Sequence, residues 1–151
     1  MSIEPIVKTV AVKAAPAKAF EIFTTRMGDW WAVGTTISKT PHVAIAIEPK
    51  VGGRWYERDA SGAETQWGKV LAWDPPRRLL LAWQINSKMK FDPDLMTELE
   101  LRFEASGKGG ALVRLEHRNL ERYGADAAGF VAMMTEGWAH KLKEFADYSA
   151  A

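Results

Sequence analysis

The chain has 151 residues, with 20 basic and 19 acidic side chains and no cysteine. Its 47% hydrophobic and 26% charged content is that of an ordinary soluble globular protein with enough chain for one sizeable core. A net charge of +1 argues against a strong nucleic-acid footprint, and the lack of cysteine excludes disulfides, thiol catalysis and cysteine-held metals.

Val7 to Lys13 alternates Val, Thr and Ala and predicts a strand. Pro16 suits a first helical turn, and Ala19, Phe20 and Phe23 recur at helical spacing, which predicts a short helix over Pro16 to Thr24. Arg26 to Trp31 reads as a second helical turn ending in a tryptophan pair, of which one is expected buried and the other free to gate or to contact a partner. Thr35 to Thr40 reads as loop.

Strands follow at His42 to Glu48, Arg54 to Asp59, Glu64 to Trp73 and Arg78 to Asn86. Their turns are Pro49 to Gly53, Ala60 to Ala63 and Asp74-Pro75-Pro76. Ser87 to Leu95 is polar and reads as loop. In Thr97 to Glu104, Leu99, Leu101 and Phe103 alternate with Glu98, Glu100, Arg102 and Glu104, so one face is expected buried and the other wet. Gly107 to Gly110 turns into a last strand, Ala111 to Arg118.

Asn119 to Gly124 connects to a long helix running to about Tyr148, with Asp126 as its expected N-cap. Val131, Met134, Trp138, Leu142 and Phe145 form one apolar stripe, and Lys141, Lys143, Glu144 and Asp147 read as its polar companions. With no linker or repeat, residues 1–151 read as a single domain. No apolar run is long enough to cross a bilayer and no signal-peptide core opens the chain, so the expected location is cytoplasmic, away from membranes.

A spaced set of motifs runs through this order. It comprises Trp30-Trp31, Glu48-Pro49 with Gly52-Gly53, Trp67-Gly68-Lys69-Val70, Asp74-Pro75-Pro76 leading to Leu79 and Trp83, Leu115-Glu116-His117, and Gly137-Trp138. The set resembles the family named for the activator of the heat-shock-protein-90 ATPase (AHSA1-like), a branch of the START-like and Bet v 1-like (SRPBCC) helix-grip proteins. The resemblance implies an α+β helix-grip fold: a curved antiparallel sheet of about six to seven strands around a long C-terminal helix, with two short helices after the first strand.

It also implies a cavity between sheet and helix for a small hydrophobic or amphipathic ligand. A co-chaperone or stress-response role, and a cyclase-, aromatase- or hydrolase-like enzyme using the same cavity, are the alternatives. The eukaryotic activator carries a separate N-terminal domain for which 151 residues leave no room, so the binding reading comes first. The expected partners are a small hydrophobic molecule and, by resemblance only, a chaperone, for a monomer or homodimer.

The candidate ligand-binding residues lie on the inner faces. Val113, Leu115 and His117 share one side of the last strand, and apolar Val and Leu mark that side as inner. His117 is then either a satisfied core histidine or a polar anchor for a ligand. Trp55 and Glu57 share a face; Glu57 either lies at a strand end in solvent or comes inward, where a carboxylate facing His117 would set its tautomer or raise its pKa. Trp83 shares a face with Leu79 and Leu81 and is expected to meet Met134 and Trp138 of the helix. With Leu101, and with Trp31 near the entrance by resemblance, these complete the set.

If the protein is an enzyme, Glu57 and His117 are the acid–base pair; otherwise no catalytic residue is assigned. His42, His117 and His140 fall on separate elements without ligand spacing, and Glu136 with His140 is a lone helical pair, so neither a metal nor a cofactor is expected.

Overall fold

The computed structural model describes residues 3–38 and 40–150. Seven strands, β1 (Ile6–Val12), β2 (His42–Ile47), β3 (Arg54–Asp59), β4 (Glu64–Asp74), β5 (Arg78–Trp83), β6 (Thr97–Ser106) and β7 (Gly110–Arg118), form one antiparallel sheet in the order β1-β7-β6-β5-β4-β3-β2. The first strand is followed by two short helices, α1 (Pro16–Thr24) and α2 (Met27–Trp30), and the chain closes with α3 (Ala127–Ser149). The sheet curls around α3, which is the arrangement the resemblance implied.

The alternating strands behave as their patterns demand. On β6 and β7, Leu99, Leu101, Phe103, Val113, Leu115 and His117 are all buried on the helix side. On the opposite face Glu100 departs from the expected wet surface: it is buried because Arg78, Arg102 and Arg118 close over its carboxylate. Burial alone would raise the pKa of this carboxyl, and the three guanidinium groups reverse that and hold it below the usual range.

β-Bulges interrupt β2–β3, β3–β4 and β4–β5 and bend the sheet. At the second, Trp55 opposes Gly68 and Tyr56 opposes Gln66, so Trp67 is the extra residue. The bulge places Trp67 and Gly68 inward in succession. Gly68 is required there, since a Cβ would stand 1.7 Å from the Ala82 carbonyl oxygen.

Several local expectations are corrected. β5 ends at Trp83 instead of Asn86, because the chain leaves the ladder for a loop closed by an isolated Ile85–Phe91 bridge. The connector before α3 is a 3-10 turn over Leu120–Asp126. Asp126 precedes α3 but does not cap it. Its backbone is already helical (φ −86, ψ −1), and its carboxylate accepts a hydrogen bond from Ser87 Oγ at 2.9 Å instead. Trp30 and Trp31 are both buried, their indole N–H groups donating to Ile22 O at 2.9 Å and Thr35 O at 3.1 Å.

Candidate functional site

The inner side of α3 carries Met134, Trp138, Leu142 and Phe145, all buried, at steps of four, four and three residues. Lys141 lies on the same stripe. It is not a solvent companion: the residue is only 9% exposed. Its ammonium sits 4.5 Å from the centre of the Trp31 ring, donates to Thr35 Oγ1 at 2.6 Å, and faces Glu144 Oε1 at 2.9 Å. The Thr35 hydroxyl in turn donates to Ala32 O at 2.6 Å, which fixes its orientation.

Trp138 of this stripe and four tryptophans facing it form a closed circuit. Ring centres are 4.8 Å apart for Trp31–Trp67, 5.3 Å each for Trp67–Trp55, Trp55–Trp83 and Trp83–Trp138, and 6.3 Å for Trp138–Trp31. Tilted and edge-on contacts at these distances are the favourable ones for aromatic rings. The seam between circuit and helix opens as a cleft of about 160 Å³. Trp31, Trp83 and Trp138 wall it, Met134 floors it, Met89 and Met133 flank it, and Gly137 and Lys141 complete the helix side. Met133 is 50% exposed and Gly137 is open to solvent, which places both at the mouth.

Behind the wall, His117 is completely buried. Its Nε2 lies 2.8 Å from Thr97 Oγ1, and its Nδ1 accepts from Trp138 Nε1 at 3.1 Å. The Thr97 hydroxyl has one proton, given to the Trp83 carbonyl at 2.7 Å. It therefore accepts from His117, which is the neutral Nε2–H tautomer. Desolvation pushes the His117 pKa down to about 3. Nearby, burial pushes the Tyr123 phenol up to about 12 against a smaller opposite pull from the Thr97 and Trp83 side chains. Trp83 Nε1 itself is buried and has no acceptor in hydrogen-bond geometry among the described residues.

Glu57 is 2% exposed and does come inward with Trp55. Its carboxylate accepts from Ser38 N at 2.8 Å, Ser38 Oγ at 3.1 Å and Trp67 Nε1 at 3.1 Å. These bonds anchor the segment that brings Thr35 and Ile37 to the cleft. The pairing of Glu57 with His117 that an acid–base role would need is not formed. Each is satisfied by other partners, and His117 is lowered, not raised, because burial acts on it without a compensating carboxylate.

Of the residues singled out from sequence, Trp31, Trp83, Met134 and Trp138 line the cleft together. Trp55, Glu57 and His117 stand in the layer behind them, while Leu101 lies between Leu79 and Leu115 in the sheet core. Lys141 and Gly137 were missed as lining residues, and so was Trp67 as the link between Glu57 and the circuit. The signal for Lys141 was its place three residues after Trp138 on the apolar stripe. Among the described residues no cluster of His, Asp or Glu is arranged to hold a metal, and no helix is long and apolar enough to cross a membrane.

A curled antiparallel sheet gripping one long helix, with an aromatic cleft at their seam, defines a helix-grip protein of the START and Bet v 1 type. Within that class the chain belongs to the family described as activator of Hsp90 ATPase homolog 1-like protein, whose sequence profile matches residues 13–150.

Among solved structures it is similar to an anthrahydroquino-Gama-pyrone synthase, Txn09, at 36% identity over 97% of both chains with a TM-score of 0.67. It is also similar to a self-sacrificing resistance protein, CalC from Micromonospora echinospora, at 30% identity over 97% of this chain and 94% of that one, TM-score 0.71. The Aha1 dimer from Colwellia psychrerythraea shares the fold at 18% identity over 96% and 95% of the chains, TM-score 0.66. No curated protein matches the chain.

Proposed function

We propose that this protein binds a flat, largely apolar small molecule by inserting an aromatic ring into the cleft between Trp31, Trp83 and Trp138. The observation that carries the reading is the cleft itself: rigid indole walls, adaptable methionines at floor and mouth, and a single held cation among its lining residues. Size sets the mode. A dry apolar space of roughly 150 Å³ accommodates a benzene ring, whereas whole-ligand pockets run to roughly 300 Å³ and more. At about 160 Å³ the cleft holds one ring, and the rest of the molecule lies across the mouth between Met133 and Met89.

The synthase similarity favours a fused-ring aromatic compound as the ligand class. Among the described residues Lys141 is the only ionisable one lining the cleft, and the Glu57 and His117 side chains stand behind the wall, so that lining supplies a binding surface and not an acid–base pair. Native mass spectrometry against a library of fused-ring aromatics and acyl chains tests the reading. Retention of aromatics with one-to-one stoichiometry supports it; retention of acyl chains alone, or of nothing, overturns it.

A further inference from the structure

We infer that the cleft selects an aromatic acid, and that Lys141 reads its ionised carboxylate. This rests on the reading that the cleft takes an aromatic ring, and adds the chemistry of that ring's substituent. A lysine on the rim of an apolar groove ordinarily carries its ammonium out to water. Lys141 does the reverse. It is 9% exposed, folded back over Trp31, and pinned by the Thr35 hydroxyl.

The pinning is of a kind that a ligand exploits. The Thr35 oxygen is a neutral acceptor whose own proton is given to Ala32 O. Glu144 Oε1 stands 2.9 Å from the ammonium, yet that oxygen makes no hydrogen bond in proper geometry, and Glu144 does not line the cleft. The ammonium carries three donors, so a carboxylate entering from the cleft meets a positioned cation with donor capacity left. Among the described residues the remaining lining carries no charge, and the one carboxylate near the ammonium, Glu144, lies outside that lining. A ring seated in the cleft against Trp31 and Trp138 brings a substituent on its edge toward Lys141, because Trp31 is wall and cation platform at once.

Three probes of one shape separate the possibilities: 2-naphthoate, 2-naphthylmethanol and 2-naphthylmethylammonium, titrated by calorimetry at low salt. The naphthoate is expected to bind about tenfold tighter than the alcohol, the scale of one charge-assisted hydrogen bond in a partly dry site. The ammonium probe is expected to bind weakest. Lys141→Met, of similar length and apolar, is expected to bring naphthoate to or below the alcohol, while Lys141→Arg keeps the order.

Equal binding of acid and alcohol by the wild-type protein overturns the assignment of Lys141 and leaves the aromatic cleft standing. Acid preference that survives in Lys141→Met overturns it as well. Binding of none of the three overturns both the assignment and the aromatic reading beneath it. The wild-type comparison needs no variant, so a poorly folding Lys141→Met does not blunt the test.

Discussion

Trp138 donates its indole N–H to His117 Nδ1 at 3.1 Å, tying the long helix to strand β7 through two fully buried polar groups. The same tryptophan walls the cleft on its other side. One residue thus couples helix docking to cleft shape. Trp138→Phe removes the indole N–H with part of the ring and leaves the His117 nitrogen without a donor. The expected cost is about 1–3 kcal/mol, the penalty of an unsatisfied buried acceptor, read as a lower urea midpoint at unchanged slope.

Stability should fall on the acid side because of His117. Its folded pKa is about 3 against an ordinary 6.5, so between those values the unfolded chain takes up a proton that the native state refuses. Stability is therefore unaffected above 6.5 and drops as pH falls from 6.5 toward 3. By pH 5 the loss is about 2 kcal/mol, with a limiting slope of about 1.4 kcal/mol per pH unit. The physical reason is desolvation of the imidazolium in a fully buried place, where an added Nδ1 proton would also face the Trp138 N–H. Urea unfolding at pH 7.5 and pH 5 should show this loss in the wild-type protein and not in His117→Gln. Equal losses in both would remove His117 as the cause.

Glu57 fastens the segment before β2 to the sheet through Ser38 and Trp67. Glu57→Leu strands a backbone N–H and an indole N–H in a buried place. It should cost at least about 2 kcal/mol, from about 1–3 kcal/mol per orphaned group, and Glu57→Gln should cost less. Hydrogen exchange checks the mechanism: the Ser38 amide should lose protection in Glu57→Leu well before the strand amides of β3 and β4 do.

Gly137 is unfavourable in the middle of a helix, and a Cβ there would meet nothing within 4 Å. Its value is the space it leaves at the cleft mouth. Gly137→Ala should raise stability by up to about 1 kcal/mol. Gly137→Phe should fold normally and plug the cleft, abolishing ring binding. Thermal unfolding and ligand titration on the same two variants separate these effects.

The fold was legible because its strands are half-buried and alternate cleanly, as in Leu99, Leu101 and Phe103, and because the C-terminal stripe keeps one helical face. The inward direction of His117 followed from Val113 and Leu115 for the same reason. What escaped reading depends on breaks in period or on contacts remote in sequence. Trp67 turns inward through a bulge, where alternation ceases to hold. Glu57 meets Ser38, nineteen residues away, and not His117. Lys141 sits on the apolar stripe, but its charge marks it as solvent-facing until the Trp31 ring beneath it is seen.

The central claim is that an aromatic ring enters the cleft walled by Trp31, Trp83 and Trp138. The most direct measurement is a nuclear magnetic resonance titration of the indole N–H signals with 2-naphthylmethanol, in the wild-type protein and in Gly137→Phe. The account predicts saturable ring-current shifts at Trp31, Trp83 and Trp138 in the wild-type protein, larger than at Trp73, which packs remotely against Phe20, and their loss in the plugged variant. No saturable shift at those three indoles, or shifts that persist unchanged in Gly137→Phe, would contradict it.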